Sequence, residues 1–328
     1  MRVRWILALG CACALALPCR VAAQAGRTLP SNVAVGAGEL RLTYLGNAGW
    51  EITDGRTVVL VDPFISLFAY ARRDSTAGSP PRRTEAAQAA LMDSVLTPDT
   101  AGIDRRVRRA DFILITHGHA DHMLDAPYIA RRTGAVIVGH ETAANLARAY
   151  EIPDSLLITV RGGEDYEFGA FSLKVIPNIH TALREKRYYN TPLAGAAPRG
   201  LKAPLRFRDF VEGGNLAYLL RIAGHQVLIM GSMNYIEREM DGLRPDVALV
   251  GANAQRRHIH DYTGRLMRAL GRPRLVIPTH ADAGGDPAAR AAVAENARAF
   301  AAEVTAASPT TRVVIPKWFE PILVPAPR

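Results

Sequence analysis

The chain has 328 residues, nearly half of them hydrophobic, and an excess of nine positive charges. Its length and apolar content exclude a disordered chain and leave room for one large core or two modest ones. The basic excess is spread along the chain as on a solvated surface, so no nucleic-acid partner is expected.

Residues 1–25 read as a secretory signal peptide. Arg2 and Arg4 form a positive start, Trp5 to Pro18 an apolar run too short for a comfortable membrane span, and Ala23 to Ala25 offer small residues for cleavage. Cys11 follows too short an apolar stretch and Pro18 precedes Cys19, which disfavours a lipoprotein box. The expected location is therefore periplasmic or secreted, with no stable membrane insertion after cleavage. Arg2, Arg4 and Arg20 leave with the signal, so 40 basic residues become 37 against 31 acidic ones, a balance of +6. All three cysteines, Cys11, Cys13 and Cys19, leave as well. A mature chain without thiols must hold any metal through nitrogen and oxygen, and no cysteine can be its nucleophile.

A linker over 26–39 precedes what reads as a single domain over 40–328. Strands come first: "ELRLTYLGNAGWEITDGRTVVLVDPF" alternates apolar positions, turns at Asp54 and Gly55, and runs apolar through "TVVLV". A loop rich in Arg, Ser, Gly and Pro spans Ala69 to Arg83, and a helix capped by Thr84 follows. "DFILIT" is the next buried strand. Helix "APYIARRTG", strand "AVIVG" and helix "ETAANLARAY" come after it, then strand "FSLKVIPNIHT". A hairpin turns at Ala223 and Gly224. Strand "DVALVGA", a helix starting near His260, strand "RLVIPTH", an Ala-rich helix from Asp286 to about Ala307 and a closing "RVVIPKW" complete the core. Strand hairpins followed by strand–helix alternation, twice over, suit an α/β fold of two face-to-face sheets with helices outside, a four-layer αββα sandwich.

The chemistry concentrates in "ILITHGHADHMLD". His117 and His119, two apart, project to one side of an extended backbone, Gly118 lets the chain bend, and Asp121 and His122 follow on the turn before a helix. Imidazole and carboxylate without thiolate suit zinc at a catalytic site, with a position kept for water. Two other histidines share the strand-end context, His180 after "FSLKVIPNI" and His280 after "RLVIPT". His225 sits in a hairpin turn and His140 near a helix start, where ordinary structural roles suffice. His258 and His260 also lie near a helix start but could face the site, with Tyr262, Arg256 and Arg257, as a rim.

"THGHADH", His180, "MGSMN" and "PTHAD", in this order, resemble the metallo-β-lactamase superfamily over roughly Leu40 to Trp318. "YLGNAGWEI" and "VLVDPF" look most like its branch containing ascorbate-6-phosphate lactonase. The resemblance implies a first metal on His117, His119 and His180 and a second on Asp121, His122 and His280, one or two zinc ions per chain. Many members bridge the metals with an Asp where this chain has Ser232, a departure that would weaken the second site. A β-lactamase subclass with an Asp/His/His second zinc also lacks that bridge.

A metal-activated hydroxide, oriented by Asp121, would attack a carbonyl or phosphoryl centre. Asp62, ending a buried strand, is either a turn residue before Pro63 or a carboxylate that fixes a ligand histidine's tautomer. Asp282 is a weaker candidate for that role. Asn47, where relatives often carry His, could donate a hydrogen bond near the metals. The insertion from Ala182 to Arg208 carries Arg184, Lys186, Arg187, Arg199, Lys202, Arg206 and Arg208 around Tyr188 and Tyr189. If it caps the site, it would favour a small anionic substrate. The expected function is opening of a lactone or β-lactam-like ring. A zinc phosphodiesterase, a non-haem iron centre for oxygen or persulfide chemistry, and a non-catalytic metal-binding module are the alternatives.

Overall fold

The computed structural model describes residues 34–66, 85–184, 187–188, 193–281 and 290–327. The signal segment, Thr84 and Asp282 lie outside them. The first half of the chain gives β1 (Leu40–Gly46), β2 (Gly49–Thr53) and β3 (Val58–Val61), then helices α1 (Glu85–Asp93) and α2 (Thr100–Arg106). It continues through β4 (Phe112–Leu114), α3 (Ala120–Met123), α4 (Ala126–Thr133), β5 (Val136–Gly139), α5 (Glu141–Ala149) and β6 (Leu157–Thr159). The second half gives β7 (Asp165–Glu167), β8 (Phe171–Asn178), a small hairpin of β9 (Leu183–Arg184) and β10 (Arg187–Tyr188), β11 (Asn215–Ile222) and β12 (His225–Met230). Then come α6 (Glu237–Met240), β13 (Val247–Gly251), α7 (Tyr262–Ala269), β14 (Leu275–Thr279), α8 (Arg290–Ala307), β15 (Arg312–Val313) and β16 (Pro321–Val324).

Two seven-stranded mixed sheets result, ordered β16-β1-β2-β3-β4-β5-β6 and β15-β14-β13-β12-β11-β8-β7. Alternation decides what each strand buries. On β11, Leu216, Tyr218, Leu220 and Ile222 meet the other sheet, in a layer with Trp50, Val59, Val61 and Leu114. Its other face, Ala217 and Leu219, packs with Leu266, Phe300 and Val304 from the outer helices. Leu60, Ile113 and Ile137 face the helices on the far side of the first sheet, with Ile129 and Leu146. These three apolar layers separate four layers of secondary structure, so the αββα expectation holds. The turn at Ala223 and Gly224 has positive φ at both residues (50° and 82°), the twist a two-residue hairpin needs.

One expectation fails at the end of the chain. The core does not close at "RVVIPKW": β16 runs back to pair antiparallel with β1, Leu40 opposite Val324. It is short, begins with a proline and pairs with a strand from the far end of the domain, so no local pattern announces it.

Arg256 and Tyr262 do not form a rim. Arg256 is 1% exposed; its guanidinium donates to both Glu303 oxygens (3.0 and 2.6 Å), to Asn296 Oδ1 and to the Ala252 carbonyl. Tyr262 is buried and donates to the Gly251 carbonyl at 2.8 Å. Removing Glu303 would strand a buried cation. Glu303→Ala should therefore cost about 3 kcal/mol in chemical denaturation, while Arg298→Ala, at an exposed ion pair, should leave stability unchanged. Equal effects would show that the Arg256–Glu303 pair does not tie the segment before α7 to α8.

Candidate metal centre

Several strands of both sheets end at one edge of the sandwich, where open α/β sheets present their ligands. Asp62 follows β3, Thr116 and His117 follow β4, His180 follows β8, Ser232 follows β12 and His280 follows β14. The two sheets are tied there by cross-layer hydrogen bonds. Leu216 N donates to the Thr116 carbonyl (2.9 Å), Tyr218 Oη to the Ile115 carbonyl (2.6 Å) and Trp50 Nε1 to Thr279 Oγ1 (3.0 Å).

The six histidine and aspartate side chains singled out from sequence converge as two triads, His117–His119–His180 and Asp121–His122–His280. Within each triad one ligand atom per residue lies within 4.8 Å of the others. His117 Nε2 faces His119 Nδ1 at 3.1 Å, and His122 Nε2 faces His280 Nε2 at 3.3 Å. Asp121 Oδ2 lies 3.6 Å from His122 Nε2 and 3.5 Å from His280 Nε2. Four ligands around a tetrahedral zinc at Zn–N distances of about 2.0–2.1 Å stand about 3.3 Å apart. The spacing and the all-nitrogen-and-oxygen donor set fit such an ion in each triad.

Hydrogen bonds set which ring nitrogen His117 and His122 offer. Asp62, fully buried, accepts the Thr116 amide on Oδ1 (2.8 Å). On Oδ2 it accepts the Thr116 hydroxyl (2.6 Å) and His122 Nδ1 (2.8 Å). Because the Thr116 proton is committed to Asp62, the Thr116 oxygen can only accept from His117 Nδ1, 3.1 Å away. Both histidines therefore carry hydrogen on Nδ1 and turn Nε2 toward their triads. Glu212 Oε2 stands 4.0 Å from His180 Nδ1. His280 is aimed by its backbone, whose N–H donates to the Asn47 carbonyl at 2.7 Å while φ is +50°.

Two glycines permit this packing. A methyl on Gly118 would strike the Val211 carbonyl beside the Glu212 segment, and one on Gly231 would strike Thr116 Oγ1 and Asp62 Oδ2. Gly118 thus serves close approach, beyond the bend expected of it.

The other candidates divide. Asn47 donates Nδ2 to Asp121 Oδ2 at 3.0 Å. Ser232, fully buried, donates to Asn215 Oδ1 (2.9 Å), with the Ile179 carbonyl 3.3 Å from its oxygen, so its hydroxyl braces the segment carrying His180. His258 and His260 are exposed. Of the basic insertion, Arg208 pairs with the Asp93 carboxylate, Arg206 donates to the Asp93 carbonyl, and Arg199 lies 3.5 Å from Asp154. Those three are held on the surface by acceptors of their own. The side chains of Arg184, Lys186, Arg187, Tyr188 and Tyr189 lie outside the described residues. His225 bonds the Gly38 carbonyl at 2.9 Å, an ordinary structural role.

Sequence reasoning missed Thr116, Glu212 and Gly231. Thr116 left a signal, a hydroxyl at the buried end of a strand directly before the cluster. It also missed Asp125, which accepts the Ile65 and Ser66 amides (2.6 and 2.9 Å) and the Ser66 hydroxyl. Burial pushes the Asp125 carboxyl up to about 6 against these bonds.

Burial, reinforced by neighbouring imidazoles, holds His117 and His180 well below the ordinary histidine range. Burial also takes His119 down to about 4, partly opposed by Asp121. The three are neutral at pH 7, the form that binds metal. His122 differs: burial lowers it, but Asp121 and Asp62 outweigh burial and raise it. Burial raises Asp121, yet His122 and His280 outweigh it and keep the carboxyl ionised. On acidification protons thus reach His122 Nε2 before they reach the first triad. In the metal-free protein, histidine ring signals followed by NMR from pH 8 to 3 should show His122 gaining its second proton at a higher pH than His117, His119 and His180; protonation of the first triad ahead of His122 would contradict this order.

Comparison with known proteins adds the lineage. A model described as the beta-lactamase superfamily domain matches residues 41–280. A UPF0173 metal-dependent hydrolase of Flavobacterium johnsoniae is 28% identical over 143 residues, 44% of this chain and 49% of that protein. One from Methanopyrus kandleri is 34% identical over 143 residues, 44% and 48% of the two chains. The chain spans about half the length of the curated relatives it matches. Among solved structures it is similar to Igni18, a metallo hydrolase of Ignicoccus hospitalis. The TM-score is 0.56 and the identity 17%, over 88% of this chain and 99% of that one, a likeness of fold.

Proposed function

We propose that this chain, which belongs to the beta-lactamase superfamily, is a zinc-dependent hydrolase that opens a cyclic ester or amide. The observation that carries the reading is the pair of converging triads, with His117 and His122 locked to present Nε2 and with no thiolate among the donors. His117, His119 and His180 would hold one ion, and Asp121, His122 and His280 the other. Bound there, zinc supplies Lewis acidity, which polarises a carbonyl and acidifies water.

The chain's own residues then have limited tasks. Asp62 and Thr116 fix two ligand tautomers, Glu212 lies beside a third ligand, and Asn47 orients Asp121. The Ser232 and Thr116 hydroxyls are committed to Asn215 and Asp62, so neither is free to attack substrate. Water is the nucleophile: its oxygen bonds to the acyl carbon, the ring C–O or C–N bond breaks, and the leaving atom takes a proton. Within the superfamily we place the chain nearest the ascorbate-6-phosphate lactonase-like branch, on "YLGNAGWEI" and "VLVDPF". We also propose export, on Arg2, Arg4, the apolar run from Trp5 to Pro18 and the small residues near Ala23.

The test is a screen of zinc-loaded protein against lactones, β-lactams and phosphodiesters. Ring opening should disappear with a chelator and return with zinc, and His119→Ala should lose more than about 100-fold. Turnover that survives chelation would refute metal dependence, and phosphodiester cleavage alone would replace the ring-opening assignment.

A further inference from the structure

We infer that Asn47 is the positioning residue of the second triad, holding Asp121 with its side chain and His280 with its main chain. The inference rests on the reading that Asp121, His122 and His280 bind a metal.

Asp121 and His280 reach the site from opposite layers. Asp121 lies on α3, beside the first sheet, and His280 follows β14 in the second. Asn47 occupies the turn between β1 and β2, 3% exposed, with φ of +54°, a conformation that asparagine tolerates better than most residues. Its Nδ2 donates to Asp121 Oδ2 at 3.0 Å and to the Asp121 main-chain carbonyl at 3.1 Å. Oδ2 is the oxygen that faces His122 and His280 at 3.6 and 3.5 Å. The amide therefore selects the carboxylate rotamer and names the oxygen presented to a metal.

The same residue's carbonyl accepts the His280 amide at 2.7 Å and the Tyr44 hydroxyl at 2.7 Å, with Thr279 Oγ1 at 3.4 Å. His280 itself has φ of +50°, an uncommon conformation that this backbone bond helps to hold. A single residue thereby sets the distance between two ligands that share no strand or helix. In the first triad, Thr116 meets His117 Nδ1 at 3.1 Å and Glu212 Oε2 stands 4.0 Å from His180 Nδ1.

Asn47→Gly separates the two halves of this role. Glycine adopts the same φ, so the carbonyl contact to His280 survives while the amide contact to Asp121 is lost. Zinc affinity and stoichiometry are measured by competition with a chromophoric chelator for parent, Asn47→Gly and His280→Ala, with thermal unfolding of each metal-free protein alongside. Asn47→Gly should bind the first ion as the parent does and the second roughly 10- to 100-fold more weakly, with the metal-free unfolding temperature close to the parent's. His280→Ala should lose the second ion outright. Parent-like binding of both ions by Asn47→Gly, or equal weakening of both, would overturn the inference while His280→Ala still reports a second site. Two ions retained by His280→Ala would remove the second site itself, and the inference with it.

Discussion

A single carboxylate oxygen underlies the centre. Asp62 Oδ2 accepts from both the Thr116 hydroxyl and His122 Nδ1 in a fully buried setting. Through Thr116 it also dictates the tautomer of His117. A buried carboxylate is costly unless its lone pairs are met, so the arrangement is all-or-none: losing one donor leaves charge exposed to apolar surroundings. The backbone is shaped to suit, with Asp62 at φ +38° ahead of Pro63, and Gly231 keeping the space that a side chain would take. One ligand from each triad depends on this oxygen, which links two sites that otherwise have separate supports.

The sandwich supplies the remaining precision. Each sheet alone would present its strand ends at an edge with loose spacing. The hydrogen bonds from Leu216, Tyr218 and Trp50 across the layer fix that spacing close to the ligands. The apolar layer of Trp50, Tyr218, Leu114 and their neighbours then makes the two sheets one rigid support. Ligands carried on strand ends of such a support lose little further freedom when a metal binds, and the neutral imidazoles of His117, His119 and His180 have no protons to shed.

Much of this was legible because the code is local. Alternating strands gave the sandwich, and "THGHADH" placed four candidate ligands within six residues; His180 and His280 stood out because each follows an apolar strand. What stayed hidden depends on partners far along the chain. Asn47 meets Asp121 across 74 positions, and Ser232 turns to Asn215 and Ile179 because of how β8, β11 and β12 lie together. Arg256 looked like a surface residue because its carboxylate partner, Glu303, sits 47 positions away on α8. Short β16 pairs with the first strand of the domain, a contact no periodicity encodes.

The most direct measurement is anomalous diffraction at the zinc edge from crystals of zinc-loaded protein. Two peaks are expected, one bounded by His117 Nε2, His119 Nδ1 and a His180 ring nitrogen, the other by Asp121 Oδ2, His122 Nε2 and His280 Nε2. Absence of density at both triads under saturating zinc, or a metal held by other residues, would contradict the account.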